Sequence, residues 1–361
     1  MSKTKKLNWI ANQPTPYYYY FLSEIKKDRS IDLKVFFSLK SYNLLPFTDK
    51  NYDNEDIILP ELKFFDLIKF YLYVLTSSDQ FIVTGWNNKY LFSILLIRRI
   101  IGLPYCFYTD SIDPEKYKND NLIWLKKFLL KKAQFILTTG EFGVKKMIEA
   151  KLFERNDRIL SLPFFVRPPQ IEWQAPKNKT NGIYTFLVLS RLIEWKGVDL
   201  ALDAFSILQS RNYQNIRLNI GGIGPDMEYL KEKCRLLNLN NLVTFHGWID
   251  ESKKKELIQN SVALIHPARG HDPFPLVINE CLAMGLPVIG SSKAGSVVEF
   301  VKNGYNGFVV NSESAKEIAD AILKFVEMPY EDYVSFSKNA SLLTVILPSS
   351  AGIDVLKTIL V

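Results

Sequence analysis

The chain has 361 residues, enough for more than one core, and its 47% hydrophobic and 23% charged residues exclude a disordered or low-complexity protein. Apolar runs such as residues 91–97 fall far short of the roughly 20 residues that span a bilayer, and the first residues lack the apolar core of a signal peptide. The net charge of +7 is uneven: residues 1–170 hold 26 Lys/Arg against 18 Asp/Glu, and residues 171–361 hold 19 against 20. A basic first half suits an anionic partner such as a membrane surface, a lipid phosphate or an acidic glycan. Cys106, Cys234 and Cys281 are odd in number and widely spaced, so a reducing, cytoplasmic compartment is expected and a zinc cluster is not.

Residues 6–11 read as a first strand and residues 12–16, N-Q-P-T-P, as the loop after it. Residues 17–27 read as a helix whose tyrosines mostly pack. Residues 31–37 form a second strand, and the aperiodic stretch to about Asp56 reads as a mobile loop. A helix is expected within 57–75, a strand over 80–84, a helix over 90–100 and a strand over 104–108. Thr109-Asp110-Ser111 follows that strand, and Asp110 is a carboxylate placed where it could act as a base. Residues 121–134 predict an amphipathic basic helix with Lys126, Lys127, Lys131 and Lys132, suited to an interface. A strand over 135–138, a helix over 141–150 and a short strand over 159–162 complete this half. Alternation of this kind predicts a mostly parallel sheet with helices on both faces.

The proline-rich, polar residues 167–182 read as a boundary. A buried strand over 184–190 opens the second half and leads into S-R-L-I-E-W-K-G, with Arg191 and Lys196 five apart on a strand-to-helix loop. A planar guanidinium and a point-charge ammonium at that spacing suit a diphosphate. The strand over 216–220 ends in G-G-I-G-P, where Gly222 permits close approach of a ligand. His246 and Trp248 follow the strand over 242–245. A helix over 253–259 then delivers the chain to a buried strand over 262–265 and the polar loop 267–275, which carries Arg269, His271 and Asp272. The helix over 276–284 holds Glu280, eight residues after Asp272, and Gly285 with Pro287 ends it. A loop between a buried strand and a helix N-terminus is where open α/β sheets bind ligands. A helix is expected over 315–325, and residues 341–346 and 353–360 are apolar segments without an assigned type.

The segment from Asp272 to Val288, D-P-F-P-L-V-I-N-E-C-L-A-M-G-L-P-V, resembles the acidic-x7-Glu signature of the retaining GT-B glycosyltransferases of family 4. The resemblance covers about residues 183–327 and includes S-R-L-I-E-W-K-G and the turn N-G-Y-N-G-F at 303–308. It implies two Rossmann-like parallel-sheet domains facing a cleft: residues 1–167 on the acceptor side, a linker at 168–182, a nucleotide-sugar domain at 183–340, and a segment at 341–361 crossing back to the first domain. It implies transfer of a sugar from a nucleoside diphosphate, UDP favoured over GDP, to a hydroxyl of a glycan or lipid-linked acceptor in polysaccharide or lipopolysaccharide synthesis. Anomeric configuration would be retained, and neither a cofactor nor a metal is expected.

By carry-over Arg191 and Lys196 hold the diphosphate, Glu280 the ribose and Asp272 the donor sugar. Gly222, His246, Trp248, Arg269, Phe274 and Leu276 complete the donor side, and Pro14, Thr15, Tyr17 and Asp110 the acceptor side. Catalytic roles are expected for Asp110, Arg191, Lys196 and Asp272. Departures are plain: Asp stands for Glu at 272, Pro273 and Pro275 replace two glycines, the first loop lacks glycine, and residues 1–170 contain no histidine. Two alternatives stay open, a sugar-nucleotide epimerase or hydrolase of the same fold, and a weakly active glycan- or lipid-binding module. Peripheral contact with an anionic membrane is expected. Nucleic acid is not, because no reading element accompanies the charge.

Overall fold

The computed structural model describes residues 4–39, 56–118, 120–169, 173–175 and 182–360, with the backbone alone at Pro16, Tyr17 and Thr344. The predicted loop before Asp56 and much of the predicted linker lie outside the described residues. The chain divides into two compact units, Met1–Arg167 with Pro348–Val361, and Pro168–Leu347.

In the first unit the order is β1 (Lys5–Ala11), α1 (Pro16–Lys27), β2 (Ile31–Phe37), β3 (Ile57–Ile58), α2 (Phe64–Thr76), β4 (Gln80–Thr84) and α3 (Lys89–Ile101). There follow β5 (Tyr105–Thr109), α4 (Pro114–Lys118), α5 (Ile123–Leu130), β6 (Ile136–Thr138), α6 (Gly140–Ala150) and β7 (Ile159–Ser161). The strands pair in parallel in the order β3-β2-β1-β4-β5-β6-β7. Helices on both faces remove the need for alternation, so the central strands are apolar on consecutive residues: Phe81, Ile82 and Val83 are all fully buried.

Helix α3 is capped by Asn88, whose Oδ1 accepts from the amides of Tyr90 and Leu91, and it ends at Gly102 in the left-handed region at φ +83°. Its buried Arg98 donates from Nη1 to the carbonyls of Val74 (3.1 Å) and Ser77 (3.2 Å) and from Nη2 to Asp79 (2.9 Å) and Pro104 (2.7 Å). One guanidinium thereby fastens the end of α2 to α3. Burial lowers its pKa to about 10, and the carbonyl ring keeps the charge satisfied.

The second unit runs β8 (Tyr184–Leu189), α7 (Val198–Ser210), β9 (Ile216–Gly221), α8 (Met227–Leu236), β10 (Val243–Gly247), α9 (Glu251–Gln259) and β11 (Ala263–His266). It continues with α10 (Leu276–Ala283), β12 (Val288–Ser291), α11 (Gly295–Phe300), β13 (Gly307–Val310), α12 (Ala315–Glu327), α13 (Tyr330–Ser341) and α14 (Leu343–Ile346). Its parallel sheet has the order β10-β9-β8-β11-β12-β13. The strand order reverses between β8 and β11, which pair directly. The loops leaving these two strands therefore emerge side by side at a topological switch point, the place where such sheets bind ligands.

The final helix, α15 (Ser349–Ile359), belongs to the first unit and packs on α1. Lys357 Nζ lies 2.7 Å from Asp28 Oδ2, and a Cβ on Gly352 would fall 2.5 Å from the Phe165 ring. Among the described residues no helix is long and apolar enough to cross a membrane. The helix expected over 121–134 is shorter than its pattern: α5 ends at Leu130 and Ala133 turns into the core. One of its four lysines is occupied, since Lys126 pairs with Asp120 and sits over the rings of Trp86 and Tyr117.

Candidate nucleotide-sugar site

The loop from β8 to α7 carries Arg191 and Lys196. A single 3-10 turn, Glu194–Lys196, leads to Gly197, which enters α7 at φ +66°. A Cβ there would lie 2.2 Å from the carbonyl oxygen of Pro267, so only glycine lets this loop meet the loop leaving β11. The Trp195 carbonyl accepts from the amides of Arg269 (2.9 Å) and Gly270 (3.2 Å), which locks the two loops together. Gly222 works from the other side. Its φ is +137°, and a Cβ would stand 1.8 Å from the Ser190 carbonyl oxygen. The close approach at Gly222 is thus made by the chain itself, and it sets the segment bearing Arg191.

Lys196 and Asp272 meet across the two loops. Lys196 Nζ is 2.5 Å from Asp272 Oδ2, and the same oxygen is 2.7 Å from Nε2 of His266. Only 5% of Asp272 is exposed. A carboxylate only accepts, so Nε2 of His266 carries the proton. Burial would raise the Asp272 carboxyl, but the His266 hydrogen bond and the Lys196 ammonium outweigh it and hold it at about 2. Burial lowers the pKa of Lys196 despite the pull of Asp272, with Arg191 adding to the lowering. Burial also lowers that of His266. Asp272 was expected to hold the donor sugar; the structure gives its Oδ2 to Lys196 and His266. Backbone bonds from Asp272 N to Lys293 O (3.1 Å) and from Gly295 N to Asp272 O (2.8 Å) tie this point to the start of α11.

Arg269 was expected on the donor side. Its guanidinium forms a two-point pair with Asp199 on α7, with Nη2 2.7 Å from Oδ2, and Lys233 of α8 reaches Asp199 at 3.4 Å and Asp203 at 2.7 Å. It braces the loop against α7. Glu280 lies on α10 and accepts from Lys254 Nζ of α9 at 3.0 Å, while Lys254 also pairs with Glu251 at 2.8 Å. Burial pushes the Glu280 carboxyl above its ordinary range, and Lys254 opposes that.

Phe274 is buried edge-to-face against Phe300, with centroids 5.9 Å apart. Leu276 opens α10. His246 Nε2 is 2.9 Å from Asn219 Oδ1, burial lowers its pKa, and Trp248 is half exposed.

In the first unit Asp110 is exposed just after β5. Pro14 is half-buried, and Thr15 is buried at the N-cap of α1; the Tyr17 side chain lies outside the described residues. The loop leaving β1 is held by Asn88, whose Nδ2 donates to Asn12 Oδ1 (3.1 Å) and Ser38 Oγ (2.8 Å). His266, Asp199 and Lys254 were not singled out from the sequence. For His266 a signal existed: a polar residue closing a buried strand stands at the ligand-binding end of a parallel sheet.

Two Rossmann-like parallel-sheet units of this kind define an α/β protein of the GT-B class. Residues 169–342, which fall within the second unit, match the model of the family of glycosyl transferases group 1. A glycosyltransferase of Methanocaldococcus jannaschii, itself uncharacterized, is 27% identical over 208 residues, 56% of this chain and 51% of that protein. A poly(glycerol-phosphate) alpha-glucosyltransferase of Bacillus subtilis is 26% identical over 45% of this chain and 24% of that protein. The chain thus spans about half the length, or less, of these curated relatives. Among solved structures, Anabaena HepE in complex with UDP superposes with a TM-score of 0.75 at 18% identity, covering 98% of this chain and 99% of that one.

Proposed function

We propose that the chain is a retaining glycosyltransferase that moves a sugar from a nucleoside diphosphate, UDP in first place, to a hydroxyl of a glycan or lipid-linked acceptor without a metal. The observation that carries this is the Lys196 ammonium, which shares its loop with Arg191 and is desolvated and held at 2.5 Å by Asp272 of the loop after β11. A fixed positive pair at a switch point suits the charge that grows on a departing diphosphate, and preorganised charge in a partly dry site needs little rearrangement as the bond breaks. Arg191 offers a two-point clamp and Lys196 a point charge. Asp272 acts through Lys196, setting its position, and His266 fixes Asp272. Glu280, kept more basic by burial, suits the ribose hydroxyls. The acceptor hydroxyl would attack from the face the diphosphate leaves, which requires no protein nucleophile, and Asp110 is the candidate base for it. UDP in the HepE complex favours UDP as the nucleotide here.

The test is titration calorimetry with UDP and GDP, followed by a donor and acceptor panel read by mass spectrometry. R191A and K196A should each weaken UDP binding by about 1–3 kcal/mol and remove most transfer, and E280Q should weaken free nucleotide as much as the full donor. EDTA should leave turnover intact. Unchanged UDP affinity in folded K196A would remove the clamp. Release of free sugar in place of a glycoside would assign a hydrolase.

A further inference from the structure

Ten large apolar side chains stand exposed among the described residues of the first unit; eight of them lie on α2, the end of α3 and α5, and a ninth, Leu122, immediately precedes α5. Phe64 and Phe65 are 72% and 74% exposed at the start of α2, and Ile68 and Leu72 continue the stripe one and two turns on. Trp124, 64% exposed, and Phe128 project from α5. The three elements form one face. Tyr71 of α2 meets Ser93 of α3 at 2.8 Å, Arg98 binds the carbonyls at the end of α2, and Arg99 donates to the Phe128 carbonyl at 2.8 Å while lying over that ring.

Cations rim the same face. Lys63 and Lys69 flank the α2 stripe, and Lys127, Lys131 and Lys132 are exposed on and just beyond α5. Across residues 61–76, Arg99 and 120–134 there are seven basic side chains outside the core and three acidic ones. Lysine is depleted from the centres of protein–protein interfaces, whereas an apolar stripe with aromatics at its ends and lysines alternating along it is the pattern of a surface lying in lipid headgroups.

We propose that α2, α3 and α5 form the face by which this chain rests on an anionic bilayer, with Phe64 and Phe65 as the inserted anchor. The proposal deepens the reading above by naming a lipid surface as partner, and it rests on that reading only for where the acceptor is presented. None of these residues belongs to the loops bearing Arg191, Lys196 and Asp272, so binding to lipid and binding to nucleotide are separable.

The experiment is flotation of the full chain with phosphatidylcholine vesicles and with vesicles containing phosphatidylglycerol, beside UDP calorimetry on the same samples. The parent should float with the anionic vesicles and progressively less as salt rises. F64S combined with F65S should lower the partition constant about tenfold or more. K127Q, K131Q and K132Q together should remove the preference for anionic lipid. All variants should bind UDP as the parent does, while absence of UDP binding in a parent that floats would sink the donor reading and leave the lipid face standing. A parent that stays off anionic vesicles, or an F64S/F65S protein that floats equally well, overturns the proposal. So does light scattering that finds a dimeric parent and a monomeric F64S/F65S variant, because a second copy would then cover the face.

Discussion

At the scale of single residues the decisive atom is Oδ2 of Asp272, which receives Lys196 and His266 in a nearly closed environment. Removing one partner of such a group leaves the other charge buried. D272N should therefore cost about 3 kcal/mol in urea unfolding at neutral pH. The pH dependence has a definite sign. The folded carboxyl titrates at about 2, below its ordinary 3.8, so its stabilisation is complete above pH 4 or so and is lost as pH falls toward 2. That contribution is about 2 kcal/mol, and the gap between parent and D272N should narrow over this range. A gap that stays constant on acidification would place the acid sensitivity elsewhere. The carboxylate at 272 reaches Lys196 on the loop after β8 and His266 at the end of β11.

At the scale of elements, the glycines after β9 matter through the loop they support. G222A would force a Cβ to 1.8 Å from the Ser190 carbonyl, at a φ of +137°. G304A is the control, with φ +73° and nothing within 4 Å. The control should cost about 1–2 kcal/mol for the left-handed conformation alone. G222A should cost several kcal/mol and weaken UDP binding as well, because it moves Arg191. Equal losses in the two variants would show that contact with Ser190 is unimportant.

Legibility followed the same division. Buried strands such as Tyr184–Leu189 and Val288–Ser291 announce themselves as apolar runs bounded by turn residues. Strand β3 has two residues and no pattern to read. The helical pattern at 121–134 overruns α5 because Ala133, which enters the core, fits the helical period equally well. Helices α14 and α15 show in the sequence only as the apolar stretches 341–346 and 353–360, without the flanking signals that assign a type, and α13 carries no reading at all. In the site, Arg191, Lys196, Asp272 and Glu280 stand out through the two motifs that carry the family resemblance, S-R-L-I-E-W-K-G and the acidic-x7-Glu segment, and not through any one of them taken alone. The pairing of Arg269 with Asp199 spans 70 positions, and no local signal encodes such a partner.

At the scale of the whole molecule, the first unit is discontinuous in sequence. Helix α15 buries Leu356 and Ile359 and closes Gly352 over Phe165 and Phe21. Truncation after Leu347 should lower the melting temperature of the first unit and leave the UDP affinity of the second unchanged. Loss of UDP binding on truncation would mean that the second unit does not stand by itself. The discontinuity also bears on synthesis. The 180 residues from Pro168 to Leu347 are made between the two parts of the first unit. At ~5–20 residues per second, a ribosome needs roughly ten to forty seconds to cross them. Throughout that interval Phe21 and Phe165 lack the helix that covers them, while every strand of the second sheet becomes available to fold. The half that begins first is completed last, and its open aromatic edge is the surface a chaperone would meet on the nascent chain.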